Sequence, residues 1–449
     1  MLPGMDISNL FHTTSPDLPT YKRISSSIEH AVARGELPIG TRLPSERILA
    51  RQLGKSRTTV VAAYDDLQMK GIIQRYVGRG SFIAGGIGAS DAPFAWSGKV
   101  ARSAMTMTSS ANVLELGVPA IDVFPHDKLG FAIDEILRRS RRAALTPPPV
   151  EGEVRLREAI ADFANCEPDE VLVTSGVQQS LDLIGRYLID PKDAVIVEQP
   201  GHTGAFHAFR SSRAQVIGWN APAWNISELQ HLIVRHRPKL IYTNPTFHNP
   251  TGATMSIDAR RALLATASVL AVPIVEDDTY SQLHWNRQAP PPLRELDHNG
   301  IVIRVGSFSM ILTPGIRLGY IIAPRQIMRD LAVLKKASSG SGDAITQRAV
   351  GEMLRNGVVE DHLAVLRREH KQHYDVFARS LNGTAIKHTP PAGGMYAWLR
   401  LPGEVTQTTQ RGVTPGARFY PAPTSSSHVR VCFAALGGHY ENGLKTAAA

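Results

Sequence analysis

Residues 301–320 read IVIRVGSFSMILTPGIRLGY. The apolar run at 301–305 predicts a buried β-strand, because continuous β-branched residues are typical of a strand covered on both faces. Two hydroxyl side chains, Ser307 and Ser309, follow this strand, and Arg317 follows a Pro-Gly pair. In a mainly parallel sheet, ligand-binding groups collect just beyond the carboxyl ends of the strands. The stretch therefore predicts a binding site at one edge of an α/β sheet.

The same pattern extends toward the N-terminus from this stretch. Strand-like and helical runs alternate at 171–173, 178–188, 194–197, 240–242, 257–269 and 273–275. Alternation of this kind indicates an α/β domain with a mainly parallel sheet. Polar side chains follow these strands as well: Ser175 and Gly176 open a helix whose free N–H groups can hold a phosphate, and Asn249 and Asp277 follow later strands.

A separate module precedes this domain. Apolar residues at helical spacing predict a first helix over 21–32, and Pro44-Ser45-Glu46 opens a second, on which Ile48, Leu49 and Leu53 form an apolar face. Gly54-Lys55-Ser56 turns into a third helix, and residues 72–83 predict a β-hairpin. Two short helices joined by a glycine turn, followed by a hairpin, indicate a winged helix-turn-helix.

The start of the third helix carries groups that suit DNA. Hydroxyls, a guanidinium and free N–H groups at residues 56–59 can reach phosphate oxygens and base edges in a major groove. Arg79 at the tip of the hairpin is placed for a minor groove. A protein-binding winged helix is the alternative, and Lys55 and Arg75 could be solubilising charges only.

The strings LPSER at 43–47, SRTTV at 56–60 and GRGSF at 78–82 resemble the winged-helix domain of the GntR regulators. By that resemblance, the DNA contacts are Arg47, Ser56, Arg57, Thr58, Thr59 and Arg79. The implied partner is a double-stranded DNA operator.

The later motifs resemble a second family. TSGVQ at 174–178, HNPTG at 248–252, EDDTY at 276–280 and HVRV at 428–431 are similar, in order and spacing, to the fold-type I, class I aminotransferases over most of residues 113–449. The whole chain resembles the MocR subgroup of GntR regulators, in which a winged helix is fused to an aminotransferase-like effector domain. The resemblance implies a site for pyridoxal 5'-phosphate.

Site roles follow from the same resemblance. Asp277 would face the pyridine nitrogen, Asn249 and Tyr280 would bind the ring hydroxyl, and His202 would lie near the ring, where the family usually has a tyrosine. The phosphate would be held by Ser175, Gly176, Val177, Ser307, Ser309 and Arg317. Arg430 would bind the carboxylate of a small amino-acid-like effector. No metal site is expected.

Met310 departs from this pattern, because it stands where these enzymes have the lysine that binds the cofactor. A thioether cannot form the Schiff base or move a proton, so no catalytic residue is assigned. Residues 145–152 also lack the family tyrosine that reaches the phosphate of the partner subunit. The chain looks shortened near 165–168 and between 406 and 412.

These observations predict a multidomain protein. Residues 1–85 would form an α+β winged helix-turn-helix, 86–112 a flexible linker, and 113–449 an α/β fold-type I aminotransferase-like effector and dimerisation domain. Within the last, the large part covers about 150–335. A smaller, shortened α+β subdomain covers about 336–449.

Composition sets limits on the class of protein. A hydrophobic share of 43% and a charged share of 20% are ordinary for a globular chain and set disorder aside. Cys166 and Cys432 are the two cysteines, which excludes a disulfide scaffold and favours a reducing cytoplasm. No apolar run is long enough for a membrane span. The net charge of +9 is densest over residues 1–85, which favours a polyanionic partner.

Two functions remain open from the sequence. The first is a homodimeric, cytoplasmic transcription regulator that senses a small molecule. The second is a working aminotransferase that carries a DNA-binding module. Within the first, pyridoxal phosphate binds non-covalently or arrives as an external aldimine, or else the pocket holds another acid or nothing. Retention of Asp277 favours the cofactor, since an unpaired buried carboxylate is costly.

Overall fold

The computed structural model describes residues 19–33, 36–37, 40–76, 80–83, 117–139, 141–285, 288–403, 405 and 413–435. The chain divides into two compact units, Met1–Thr106 and Met107–Ala449. Arg79, the expected linker at 86–112 and the shortened stretch at 406–412 lie outside the described residues. Within the described ranges, no helix is both long and apolar enough to cross a membrane.

The first unit is a three-helix domain with a hairpin. Its elements are α1 (Thr20–Ala33), α2 (Glu46–Leu53), α3 (Arg57–Met69), β1 (Ile73–Tyr76) and β2 (Gly80–Ile83). The two strands pair antiparallel, with Ile73 opposite Ile83, and Arg42 adds a bridge to Phe82 on the outer edge. This is the expected winged helix-turn-helix.

Capping residues decide where α2 and α3 begin. Ser45 and Ser56 precede them in extended conformation, and their hydroxyls accept hydrogen bonds from Ile48 N and Thr59 N. Gly54 ends α2 at φ 62°, a left-handed conformation that favours glycine. Tyr64 lies in the core and donates to the carbonyl of Pro44 at 2.8 Å, which ties α3 to the segment before α2.

The second unit is built on a seven-stranded sheet. Its strands are β3 (Val171–Thr174), β4 (Ala194–Gln199), β5 (Gln215–Asn220), β6 (Leu240–Thr243), β7 (Ile274–Asp277), β8 (Val302–Ser307) and β9 (Gly319–Ile322). Their spatial order is β3-β9-β8-β7-β6-β4-β5. The pairs from β8 to β5 are all parallel, and β9 runs antiparallel to both of its neighbours.

The second unit also contains eleven α-helices among the described residues. They are α4 (His126–Arg139), α5 (Arg141–Ala144), α6 (Val154–Ala164), α7 (Val177–Leu188), α8 (Thr203–Ser211), α9 (Ile226–His236), α10 (Ile257–Val269), α11 (Leu293–Leu296), α12 (Arg325–Ser339), α13 (Ala344–Arg355) and α14 (Val358–Ser380).

Successive residues of the central strands enter different cores. Val195 and Val197 pack with α7, α8 and α12, whereas Ile196 between them packs with α9 and α10. Both faces of the sheet are therefore buried, which explains the unbroken apolar runs that the sequence shows at these strands.

A smaller antiparallel sheet follows. Its strands are β10 (Lys387–His388), β11 (Tyr396–Arg400), β12 (Val413–Pro415) and β13 (His428–Cys432), in the order β10-β11-β13-β12. Together with α14 it forms the α+β part expected at the C-terminal end. The fold class predicted from the sequence, a winged helix followed by an α/β domain with a smaller α+β part, is confirmed.

Buried charges hold β7 and β8 in register beneath the sheet edge. Arg304 on β8 makes two hydrogen bonds to Asp278 Oδ2, at 2.6 and 3.0 Å, and a third to the carbonyl of Ala164. Both side chains are almost fully buried. Since Asp278 immediately follows Asp277, this pair also fixes the position of the neighbouring carboxylate.

Lys335 is a second buried charge, on α12. Its amine donates to the carbonyls of Val150, at 2.5 Å, and Ser341, at 3.4 Å, and the residue is 2% exposed. Burial lowers the pKa of Lys335 from 10.5 to about 8, and the nearby Glu151 opposes this shift only in part.

We expect Lys335 to make the free energy of unfolding vary with pH in the alkaline range. Between pH 8 and 10.5 the unfolded chain keeps a proton that the folded chain releases, so the free energy of unfolding rises with pH. Relative to Lys335→Met, the wild-type free energy of unfolding should increase by about 3 kcal/mol across this window. Urea titrations of both proteins at several pH values measure the difference. Parallel curves would contradict the assignment.

Candidate functional site

The phosphate end of the expected pocket is assembled from three elements. Gly176 opens α7 at φ 104°, and a Cβ built on it would lie 3.6 Å from Arg317 Nη2 and 4.0 Å from Ser307 Oγ. Arg317 donates to the carbonyl of Ser175 at 3.0 Å. The helix start, the end of β8 and the arginine predicted from the sequence therefore lie together.

Close backbone approach at this end depends on Gly319. A Cβ at this position would lie 2.7 Å from Gly176 Cα and 2.7 Å from the carbonyl oxygen of Gly306, so no larger residue fits. The glycine lets β9 pass directly beside the helix start.

Hydroxyl and N–H groups at the phosphate end are partly used within the protein. Ser307 Oγ accepts from Ser309 N at 3.1 Å, and Ser175 N donates to Gln179 Oε1 at 2.7 Å. The N–H of Ser175 is therefore not free, contrary to the expectation from the sequence. Val177 is the first residue of α7, so its N–H belongs to the unbonded first turn.

Asp277 forms the floor of the pocket at the end of β7. Its Oδ2 accepts from Tyr242 at 2.7 Å, and its Oδ1 accepts from the N–H and hydroxyl of Thr279. The residue is 3% exposed. These donors satisfy the buried carboxylate, so Asp277 is stable without a ligand. Its presence in the sequence is therefore not evidence for a bound cofactor.

Three side chains expected around a ring meet above this floor. Asn249 Nδ2 lies 3.4 Å from the Tyr280 hydroxyl and 3.4 Å from His202 Nδ1. Burial lowers the pKa of His202; Asp277 opposes this shift and Arg430 adds to it. His202 is therefore held neutral beside the pocket.

Arg430 joins the small sheet to this group. It lies on β13, is 7% exposed, and donates to Asn249 Oδ1 at 3.0 Å. Its guanidinium carbon lies 4.5 Å from the ring centre of Tyr396 and 4.9 Å from that of Phe419, which are cation–π distances. The carboxylate-binding arginine expected from the sequence thus sits at the edge of the ring site.

The sequence analysis did not predict that Tyr396 and Phe419 belong to this site. Tyr396 also lies 3.4 Å, hydroxyl to hydroxyl, from Tyr280. A Cβ on Gly117 would come within 2.3 Å of the Tyr396 hydroxyl, and Gly117 has φ 67°. The Gly-Val-Pro motif at 117–119 was therefore a usable signal, although it does not show which side chain the glycine accommodates.

Met310 follows the end of β8, one residue after Ser309. It is half-buried and packs against the apolar cluster that contains Tyr280, Phe308 and Tyr396. Among the lysines that the structure describes, Lys335 alone is buried, and its amine is bonded to Val150 and Ser341.

Glu198, near these residues, accepts three hydrogen bonds and contacts His248. It accepts from Trp224 Nε1, the Thr243 hydroxyl and Asn244 N at 2.7, 2.6 and 2.8 Å, and His248 Nε2 lies 3.2 Å away. Burial by itself raises the pKa of Glu198, but His248 and the hydrogen bonds outweigh it and keep the pKa below its usual range. The carboxylate is therefore ionised and holds the residues that lead to Asn249.

The expected DNA-binding groups lie along the start of α3 and on α2. Arg47, Ser56, Arg57 and Thr58 are exposed, and Thr59 is half-buried. The hydroxyls of Ser56 and Thr59 lie 2.8 Å apart, and Ser56 also caps the helix. Both hydroxyls thus contribute to the helix start, while the two arginines remain at the surface.

Two details of the first unit differ from the expectations. Ile48 is 49% exposed, so it does not belong to the apolar face of α2; Leu49 alone is fully buried there. Arg75 pairs with Asp65 at 2.8 Å and lies over the Tyr64 ring, which indicates a structural role for this arginine. In the described part of the chain, no group of three or more potential ligands could hold a metal ion.

Comparison with known families matches both units. Residues 112–441 match the family described as aminotransferase class I and II, and residues 20–83 match the bacterial regulatory proteins of the gntR family. The first match covers most of the chain. The chain belongs to the class I and II aminotransferase family. It carries a GntR DNA-binding domain ahead of the aminotransferase domain.

Relatives of this aminotransferase-family chain include transcription regulators. YisV, an HTH-type transcriptional regulator of Bacillus subtilis, is 28% identical, and the match covers 99% of this chain and 98% of YisV. The "Probable rhizopine catabolism regulatory protein MocR" of Rhizobium meliloti is 28% identical over 80% of this chain and 77% of its own length. Such relatives support the assignment to the MocR subgroup.

Solved structures agree for the second unit. The crystal structure of LysN, an α-aminoadipate aminotransferase from Thermus thermophilus, is 30% identical and superposes with a TM-score of 0.68 over 71% of this chain and 86% of LysN. It was solved with N-(5'-phosphopyridoxyl)-L-leucine. The family fold thus implies a pyridoxal phosphate site.

The residues of the pocket fit this group in all but one respect. Gly176, Ser307 and Arg317 converge, a set of groups that suits an anion, and the buried Asp277 carboxylate lies at the end of β7. Asn249 Nδ2 and the Tyr280 hydroxyl, which suit a ring hydroxyl, lie 3.4 Å apart. Met310 is the exception, because it supplies no amine for covalent attachment.

We expect Glu198→Gln to destabilise the second unit by about 3 kcal/mol, because an amide would leave buried donors unpaired. The effect should depend on pH. Wild-type stability from Glu198 is present above pH 4.5 and is lost as pH falls through the lowered folded pKa, so acidification should narrow the difference between the two proteins. Urea unfolding at several acidic pH values measures this. A difference that does not narrow would contradict the role of the ionised carboxylate.

Proposed function

We propose that this GntR–aminotransferase fusion is a DNA-binding transcription regulator whose second unit senses a small molecule and has lost transamination. The observation that supports the loss of catalysis is Met310, which follows the end of β8 where the resemblance to the aminotransferases places the cofactor lysine. In transamination, a lysine amine tethers the cofactor and moves a proton between carbon atoms. A thioether does neither, and loss of general acid–base catalysis alone costs about a hundred- to ten-thousand-fold in rate.

The ligand we propose for the pocket is pyridoxal phosphate, bound without a covalent bond, or its adduct with an amino acid. Arg317, Ser307 and the start of α7 would bind the phosphate, with Arg317 able to contact two oxygens. Ser175, Val177 and Ser309 border the same site. Asp277 would hold the pyridine nitrogen in its protonated form, and the ring provides an electron sink when it is so held.

The amino-acid part of the ligand would be held by Arg430. Its guanidinium is buried against two aromatic rings and directed at Asn249, which raises the strength of a carboxylate contact by excluding water. An adduct would therefore bind the large sheet through Asp277 and the small sheet through Arg430. Its presence would favour one arrangement of the two parts.

The sensing and DNA-binding activities would be coupled by free energy. If the ligand changes the affinity for the operator, the operator changes the affinity for the ligand by the same factor. We propose a homodimer, because two winged helices bind the two halves of a palindromic operator.

Pyridoxal phosphate should bind the wild-type protein reversibly. Purified protein is titrated with pyridoxal phosphate, alone and with amino acids, while visible absorbance and melting temperature are recorded. We expect a melting shift that disappears after desalting. If neither the visible absorbance nor the melting temperature changes in any mixture, cofactor sensing is ruled out.

Met310→Lys tests the position of the missing anchor. The new amine should condense with the aldehyde of pyridoxal phosphate, forming a C=N bond and releasing water, and the protein should become yellow and stay so after desalting. Met310→Leu is the matched control and should remain colourless. A colourless Met310→Lys protein would show that position 310 does not face the cofactor, and rapid transamination by the wild type would overturn the proposal.

Arg57→Ala should weaken operator binding by about 1–3 kcal/mol and reduce discrimination among sequences, if Arg57 reads a base edge. Arg75→Ala is a useful comparison, because Arg75 is already paired with Asp65. Gel-shift titrations with operator and unrelated duplexes at one salt concentration measure both effects. Equal weakening on all duplexes would assign Arg57 to phosphate contact instead.

A further inference from the structure

A cluster of arginines lies on the second unit, far along the chain from the winged helix. Arg138 and Arg139 end α4, and Arg141 and Arg142 begin α5. All four are exposed; the side chains of Arg138 and Arg139 are 65% and 80% accessible. We call these four residues the arginine cluster.

Acidic neighbours do not neutralise the cluster. Glu135 pairs with both Arg138 and Arg139, at 2.5 and 2.6 Å. Arg141 and Arg142 have no carboxylate within 4.0 Å among the residues that the structure describes. With Asp134 exposed one turn earlier, four positive and two negative charges remain on this segment. Residues 134–142 therefore keep a net charge of +2.

The chemistry of the cluster favours a polyanion. Guanidinium groups bind phosphate oxygens two at a time, and closely spaced cations gain from releasing the counterions of a nucleic acid. A pocket for one small amino acid needs no such surface charge.

We propose that the arginine cluster is a second DNA-binding surface, which contacts the phosphate backbone of duplex DNA. The inference rests on DNA binding by the first unit. The cluster contributes affinity that does not depend on base sequence, because phosphate contacts position a protein on DNA without reading it.

The test is the salt dependence of binding by the full-length protein. Wild type and Arg141→Gln/Arg142→Gln are titrated with a mixed-sequence duplex at several salt concentrations. The slope of log K against log salt should fall in magnitude by about 0.9 for each phosphate interaction that the substitution removes, or about two for the pair in each chain. Arg141→Lys/Arg142→Lys keeps the charge and should retain the wild-type slope.

A matched control removes two arginines elsewhere. Arg186 and Arg261 are exposed to a similar degree, at 51% and 68%, and Arg186→Gln/Arg261→Gln should leave the slope unchanged. Circular dichroism checks folding. If the double glutamine variant unfolds, the single variants Arg141→Gln and Arg142→Gln replace it, each with an expected change of about 0.9.

Three outcomes would overturn the inference. The first is an unchanged slope in the glutamine variant while the wild type binds DNA. The second is an equal fall in slope in the control variant. The third is dissociation of an oligomer by the glutamine variant at constant salt slope, which would assign the cluster to a second copy of the chain. Failure of the wild type to bind any duplex would instead reject DNA binding itself, and with it the proposed function.

Discussion

Asn244 is the residue on which the geometry of the pocket depends. Its backbone N–H donates to Glu198, its side-chain amide donates to the carbonyl of Asp277, and its side-chain oxygen accepts from Asn249 N. Asn249 in turn accepts from Arg430. All of these groups are buried, so each unmade hydrogen bond would cost about 1–3 kcal/mol. A short series of hydrogen bonds therefore connects β4 and the end of β6 in the large sheet to the small sheet.

The hydrogen bonds of this network do not involve Met310. Asp277 is satisfied by Tyr242 and Thr279, so the site is stable as a set of mutual hydrogen bonds and does not depend on a covalently held cofactor. The residues that would contact a ligand at its two ends belong to different sheets. A ligand that contacts both Arg317 and Arg430 would bind one arrangement of the two sheets more tightly than another. A sensor requires such a difference in affinity.

The sequence predicted much of this site because its residues stand at strand ends, and strand ends of a parallel sheet meet at one edge. Asp277, Ser307 and Asn249 were placed in this way. Strands β5 and β9 were missed: β5 is only partly buried, and β9 is a short antiparallel strand that begins at Gly319, which packs against Gly176. The exposure of Ile48 was also missed, since helical spacing alone does not decide which apolar residue faces the core.

By itself, the sequence determined the two families, the order of the domains and the absence of an amine at position 310, because these follow from residue identity and spacing. The tertiary structure alone showed that Asp277 is already paired, that Tyr396 and Phe419 enclose Arg430, and that Glu198 anchors the network beneath. Most of these contacts join residues well separated in the chain, and the related contact between Arg430 and Asn249 joins residues 181 positions apart. Tertiary packing decides which residues contact each other, and a short sequence pattern does not show these contacts.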